Sequence, residues 1–196
     1  MRRRKFLKPN FKGIVGAIMA FISLALPWWT ITIDNSPVVY GGTSYSISIY
    51  TYQTTVITNF GLSIHLGIST WYAWVALVLI VLGGLLGIAG SLVQNARRML
   101  AAGGLFALLS TIIFAAGLQI ELSKSPVFSD ISVGSTRVGL FSSGIFSTGG
   151  IHFTTYLSFG FWLALVAAVI MLATSLRKPN ADMGTTSPNT HRPTPT

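Results

Sequence analysis

Apolar residues in this chain gather into four long runs, and the stretches between them alternate instead of running. The runs are Gly13 to Ile33, Trp71 to Val93, Met99 to Leu118 and Tyr156 to Leu176, and none contains Asp, Glu, Lys, Arg or His. A helix rises about 1.5 Å per residue and the hydrocarbon core of a bilayer is about 30 Å thick, so about 20 apolar residues carry a helix across. Lipid offers no partner to a free N–H or C=O, which leaves helices and closed barrels as the spanning forms. The pattern predicts an all-α membrane protein built on a bundle of four transmembrane helices.

Between the first and second runs, "TSYSISIYTYQTTVI" alternates, with Tyr45, Ile47 and Ile49 on one phase and Tyr50, Tyr52 and Val56 on the other. The slip at Ile49 and Tyr50 predicts a bulge or a turn. Between the third and fourth runs, "ISVGSTRVGLF" alternates on both sides of Gly134, as a hairpin does. An isolated hairpin is only marginally stable, so the two segments are expected to pair into one small extracytoplasmic β-sheet seated over the bundle.

The two halves also resemble each other. "TITIDNSPVV" and "GLQIELSKSPVF" both give Ile, then an acid, then Ser-Pro-Val, and each outer segment closes on Ile-His, at His65 and His152. Ile33 and Ile120, and Ile64 and Ile151, are each 87 positions apart. The spacing predicts a duplicated unit of two spans and an outer lobe, related by an axis along the membrane normal.

Charge sets the orientation. Arg2, Arg3, Arg4, Lys5, Lys8 and Lys12 precede the first run, Arg97 and Arg98 separate the second from the third, and Arg177, Lys178 and Arg192 follow the fourth. The opposite side holds Lys124 and Arg137 with Asp34, Glu121 and Asp130. Basic residues stay on the cytoplasmic flank. The expected layout is a multi-pass protein of the cell membrane with a cytoplasmic N-terminus (1–12), spans at 13–33, 71–93, 99–118 and 156–176, outer segments at 34–70 and 119–155, a cytoplasmic loop at 94–98, and a polar cytoplasmic tail at 177–196 expected to be disordered.

Arg3-Arg4-Lys5-Phe6-Leu7-Lys8 is similar to a twin-arginine export signal. The following apolar run, however, exceeds the 7–15 residues of a secretory leader and ends in Pro27, Trp28 and Trp29, so it is read as a retained span. Trp28, Trp29, Trp71, Trp74 and Trp162 fall at the outer ends of spans and are expected to anchor in the headgroup zone. Small residues recur at helical spacing on every span: Gly16 and Ala20; Gly83 and Gly87; Gly103 and Ala107; Gly160, Ala164 and Ala168. Helices in lipid associate through such close-approach faces, so these residues are assigned to bundle packing or to assembly with a partner subunit.

Composition narrows the chemistry. At 51% hydrophobic and 9% charged, the chain is too apolar to cover a globular surface, and its net charge of +9 is explained by topology and anionic headgroups, so no nucleic-acid partner is expected. There is no cysteine, which excludes disulfides and thiolate chemistry. Uncharged spans argue against a pump or proton-coupled transporter. No phosphate-binding loop, zinc-protease pair or nucleophile elbow occurs, so no enzyme and no cofactor are expected. His65 and His152, at matching places in the two halves, are the candidates for ligating haem or a metal. Asp34 and Glu121, also matched, are read as helix stops at the water boundary.

Four spans, a β-rich first outer segment, a second able to add strands, and "LPWWT" after the first span resemble the claudin-like tetraspan superfamily. The likeness covers the layout from Lys12 to Leu176. The family's Gly-Leu-Trp and paired cysteines are missing, since "NFGLS" stands where that motif would be. The resemblance implies a left-handed four-helix bundle topped by a sheet, with lateral or face-to-face assembly as the function. The expectation is a structural or interaction protein that joins copies of itself or other membrane proteins within the bilayer. Its alternatives are an accessory subunit of a respiratory or redox complex that contributes to haem, quinone or metal binding, and a small channel or transporter.

Overall fold

A computed structural model describes residues 10–34, 44–58, 70–93, 97–124, 139–146 and 151–176. In chain order its elements are α1 (Phe11–Leu24), β1 (Trp29–Asp34), β2 (Ser44–Ile49), β3 (Thr54–Thr58), α2 (Trp71–Leu92), α3 (Arg97–Lys124), β4 (Ser142–Phe146), β5 (Ile151–Leu157) and α4 (Phe159–Leu176). Three helices, α2, α3 and α4, are long and apolar enough to cross a membrane, while α1 is an apolar helix of 14 residues.

The first expected span is therefore corrected. Its helix begins under an Asn10 cap whose Oδ1 accepts from Gly13 N, and it ends at Leu24, not Ile33. Tight bonds from Ala25 N to Ile22 O and from Leu26 N to Ser23 O close the last turn, and Pro27 cannot continue it. Thr30 to Ile33 alternates β-branched residues, and two neighbouring strands satisfy that backbone better than a helix does. The fourth run is divided in the same way: Tyr156 and Leu157 end β5, and α4 starts at Phe159. The third helix runs past Leu118 to Lys124.

The strands form one antiparallel sheet in the order β3-β2-β1-β5-β4. Both outer segments contribute, as expected, but the central strand comes from residues assigned to a span. The slip at Tyr50 is a turn, with Tyr50 N donating to Gln53 O at 2.8 Å and joining β2 to β3. The expected hairpin about Gly134 lies outside the described residues. One sheet face buries Trp29, Ile31, Ile47, Ile49, Phe153, Thr155 and Leu157, whereas Asp34, His152, Thr154 and Tyr156 are exposed on the other.

The helices pack as a ring in which α1 and α3 each contact both α2 and α4. Neighbours run antiparallel: Gly13 meets Ser91 and Gly87 meets Ala17 across α1 and α2, and Gly90 meets Leu100 and Gly117 meets Tyr72 across α2 and α3. The sheet grows from the end of α1 and leads into α4, so it caps one end of the bundle.

The two halves differ at the one matched pair of positions that can be compared beside the spans. Ile33 and Asp34 close a strand, whereas Ile120 and Glu121 lie inside α3, so neither acid stops a helix. Both copies of the shared Ser-Pro-Val, and Ile64-His65, lie outside the described residues.

Candidate functional site

The junction of bundle and sheet gathers the most specific contacts. Trp28 follows α1 and is fully buried, with Nε1 donating to Ser23 O at 2.9 Å. Its ring meets Phe114 of α3 edge-on at 5.0 Å and Phe161 of α4 at 6.1 Å, and Phe114 meets Tyr72 of α2 at 5.6 Å. Trp28, just after α1, thus joins one ring from each of the other three helices in an aromatic plug across the bundle, in the edge-to-face geometry that ring quadrupoles favour.

Above the plug the polar contacts are hydroxyls. Thr30 Oγ1 lies 2.7 Å from Ser158 Oγ and 3.3 Å from Ser48 Oγ. Thr155 Oγ1 donates to Gly139 O at 2.8 Å and accepts from Ser142 N at 2.9 Å. Among the described residues every buried polar side chain apart from the aromatic ones is Ser or Thr. Three buried polar atoms, Trp29 Nε1, Thr51 Oγ1 and Tyr72 OH, have no partner among the described protein groups.

The five tryptophans divide into two sets. Trp28 and Trp29 are 0% exposed, which corrects their assignment as headgroup anchors: the chain turns inward at Pro27 and packs both rings in the core. Trp71, Trp74 and Trp162 are 51%, 55% and 47% exposed. Trp71 Nε1 donates to Glu121 Oε1 at 3.3 Å, and Lys124 Nζ stands 4.0 Å from the same oxygen.

The small residues all turn inward. Gly16, Ala20, Gly83, Gly87, Gly103, Ala107, Gly160, Ala164 and Ala168 are buried within this one chain. A Cβ on Gly83 would lie 2.8 Å from Gly103 O, and one on Gly160 would lie 2.7 Å from Leu26 O and 2.8 Å from Pro27 O. These faces are consumed by the protein's own helices and are not open to a partner.

His65 lies outside the described residues. His152 is exposed on β5, opposite Asp34 of β1 and Ile145 of β4, beside a shallow hollow of about 200 Å³ lined by Ser143, Gly144, His152, Phe153 and Thr154. Among the described residues no three His, Cys, Asp or Glu side chains come together as a metal site would require.

Two open apolar grooves flank α4. One, of about 400 Å³, is walled by Met19 and Leu26 on one side and Phe159, Trp162, Leu163 and Val166 on the other. The second, of about 460 Å³, runs between α3 and α4 from Leu108 to Gln119 and is roofed by Leu140, whose N–H donates to Gln119 Oε1 at 3.3 Å.

The sequence reading missed the plug and the hydroxyl cluster. A signal was present for the plug, because Tyr72, Phe114, Trp28 and Phe161 all fall near the same end of their apolar runs. Nothing in the sequence pairs Thr30 with Ser158. No family model and no curated protein matches this chain.

Proposed function

We propose that this is a structural or interaction protein of the cell membrane that assembles with copies of itself or with other membrane proteins. In this reading α1 with the turn after it makes the fourth crossing, both termini are cytoplasmic, and the sheet stands outside. The claudin-like layout belongs to the same proposal; what supports it is a ring of four helices carrying an antiparallel sheet at one end.

The observation that carries the reading is the pair of apolar grooves beside α4. The small-residue faces are already used inside the chain, whereas these grooves are open apolar concave surfaces of a kind another helix can fill. Among the described residues the buried polar side chains, aromatic ones apart, are Ser and Thr hydroxyls with no buried acid or imidazole beside them to serve as a base, which favours binding over chemistry. Against a pore through one chain stands the aromatic plug.

The test is native mass spectrometry of the protein extracted gently from membranes, beside a variant that fills a groove, Val166→Trp. A defined oligomer or hetero-complex that Val166→Trp dissociates supports the proposal. A single-chain species carrying a stoichiometric chromophore or metal would instead establish the redox-subunit alternative.

A further inference from the structure

The β2–β3 hairpin points back at the bundle. β1 leads away from α1, and β2 returns beside it with Ile49 opposite Trp29, so the turn Tyr50–Gln53 lies on the bundle side of the first row of the sheet. Trp28 N donates to Ile49 O at 2.9 Å, which sets the turn level with Pro27 and Trp28. That level is tied to the helices twice. Gly160 N in the first turn of α4 donates to Pro27 O at 2.9 Å, and the Trp28 ring rests on Phe114, whose other neighbour is Tyr72 in the first turn of α2. The turn therefore shares its depth with Trp71, Trp74 and Trp162, the three exposed tryptophans of those same first turns.

The turn carries aromatics of its own. The Tyr50 and Tyr52 rings are 5.7 Å apart, Tyr52 is 42% exposed, and Gln53 is exposed beside them. Buried Thr51 fixes the turn against the core. The α1 corner has no exposed tryptophan, because Trp28 and Trp29 both turn inward.

We infer that the tip Tyr50–Gln53 is a membrane-interface anchor that seats its tyrosine pair among phospholipid headgroups, level with the tryptophans of α2 and α4. Tyrosine suits that depth because its ring is apolar and its hydroxyl stays wet. The contact couples the tilt of the sheet to the bilayer surface on the side where α1 is shortest. The inference rests on the membrane-spanning reading.

The chain has no cysteine, so single-cysteine variants of the full protein each take one spin label. Labels at Tyr52→Cys and Gln53→Cys would be compared in phosphatidylcholine–phosphatidylglycerol nanodiscs with Ile112→Cys, exposed on α3, and Thr154→Cys, on the open face of the sheet. The readout is collision with oxygen, which concentrates in lipid, against a nickel chelate, which stays in water. The expected result is oxygen-dominated relaxation at 112, nickel-dominated at 154, and a shift to headgroup depth at 52 and 53. If 52 and 53 match 154 while 112 remains oxygen-dominated, the anchor is overturned and the spanning reading stands. Nickel access at 112 would overturn both.

Discussion

Replacing Gly83 with alanine tests the α2–α3 seam by the sign of its effect. In an open helix the change favours folding by about 1 kcal/mol, because glycine loses more backbone freedom. Here the added methyl would lie 2.8 Å from Gly103 O and 3.1 Å from Ala107 N. Both obstacles are backbone atoms, so no side chain can swing aside. Restoring an ordinary contact near 3.4 Å requires α2 and α3 to separate by about 0.6 Å. The reverse substitution meets the same wall, since a Cβ on Gly103 would lie 2.7 Å from Gly83 O. Overpacking of this kind costs about 1–3 kcal/mol, and a rigid shift that loosens the whole seam belongs at the upper end. The expected net loss is about 1–2 kcal/mol for Gly83→Ala, larger for Gly83→Leu, and near zero for Leu85→Ala on the exposed side of α2. Reversible unfolding in mixed micelles, by denaturing detergent or steric trapping, measures it. A Gly83→Ala protein as stable as the parent, or more so, would show that the two backbones do not touch there.

Trp28→Ala removes the ring that three helices share and should cost about 3–5 kcal/mol by the same unfolding assay, whereas Trp162→Ala, half exposed, should cost far less. Tyr72→Phe deletes a buried hydroxyl that no described protein group pairs, so stability should hold or rise by up to about 1 kcal/mol; a loss of 2 kcal/mol or more would reveal a partner. Ser110→Ala breaks the bond from Ser110 Oγ to Ala76 O at 2.8 Å across α2 and α3, with an expected cost of about 0.6 kcal/mol, and its effect should diminish in a Gly83→Leu background where the helices are already apart.

Legibility varied along the chain for identifiable reasons. Where a run was apolar and free of proline, as in α2, the helix matched its expected bounds within a residue, because nothing competed with it. Where an apolar run held Pro27 and the alternating Thr30 to Ile33, hydropathy alone could not separate helix from buried strand. Both are oily, and the choice depended on whether partner strands were present. The same ambiguity displaced the tryptophans. An amphipathic ring at the end of an apolar run anchors in headgroups if the chain continues straight and fills the core if it turns, and Pro27 turns it.

Read alone, the sequence determined solvent class, the number and place of the apolar runs, the small residues on which helices close, and the turn at Tyr50, since each follows from local composition and spacing. Tertiary structure decided that α1 ends at Leu24 and that β1 becomes the centre of the sheet. It also decided that Trp28, just after α1, meets rings from the other three helices in one plug. Those outcomes rest on pairings between residues far apart in the chain, such as Thr30 with Ser158 and Trp29 with Ile49, whose energies exist only once the partners have been brought together.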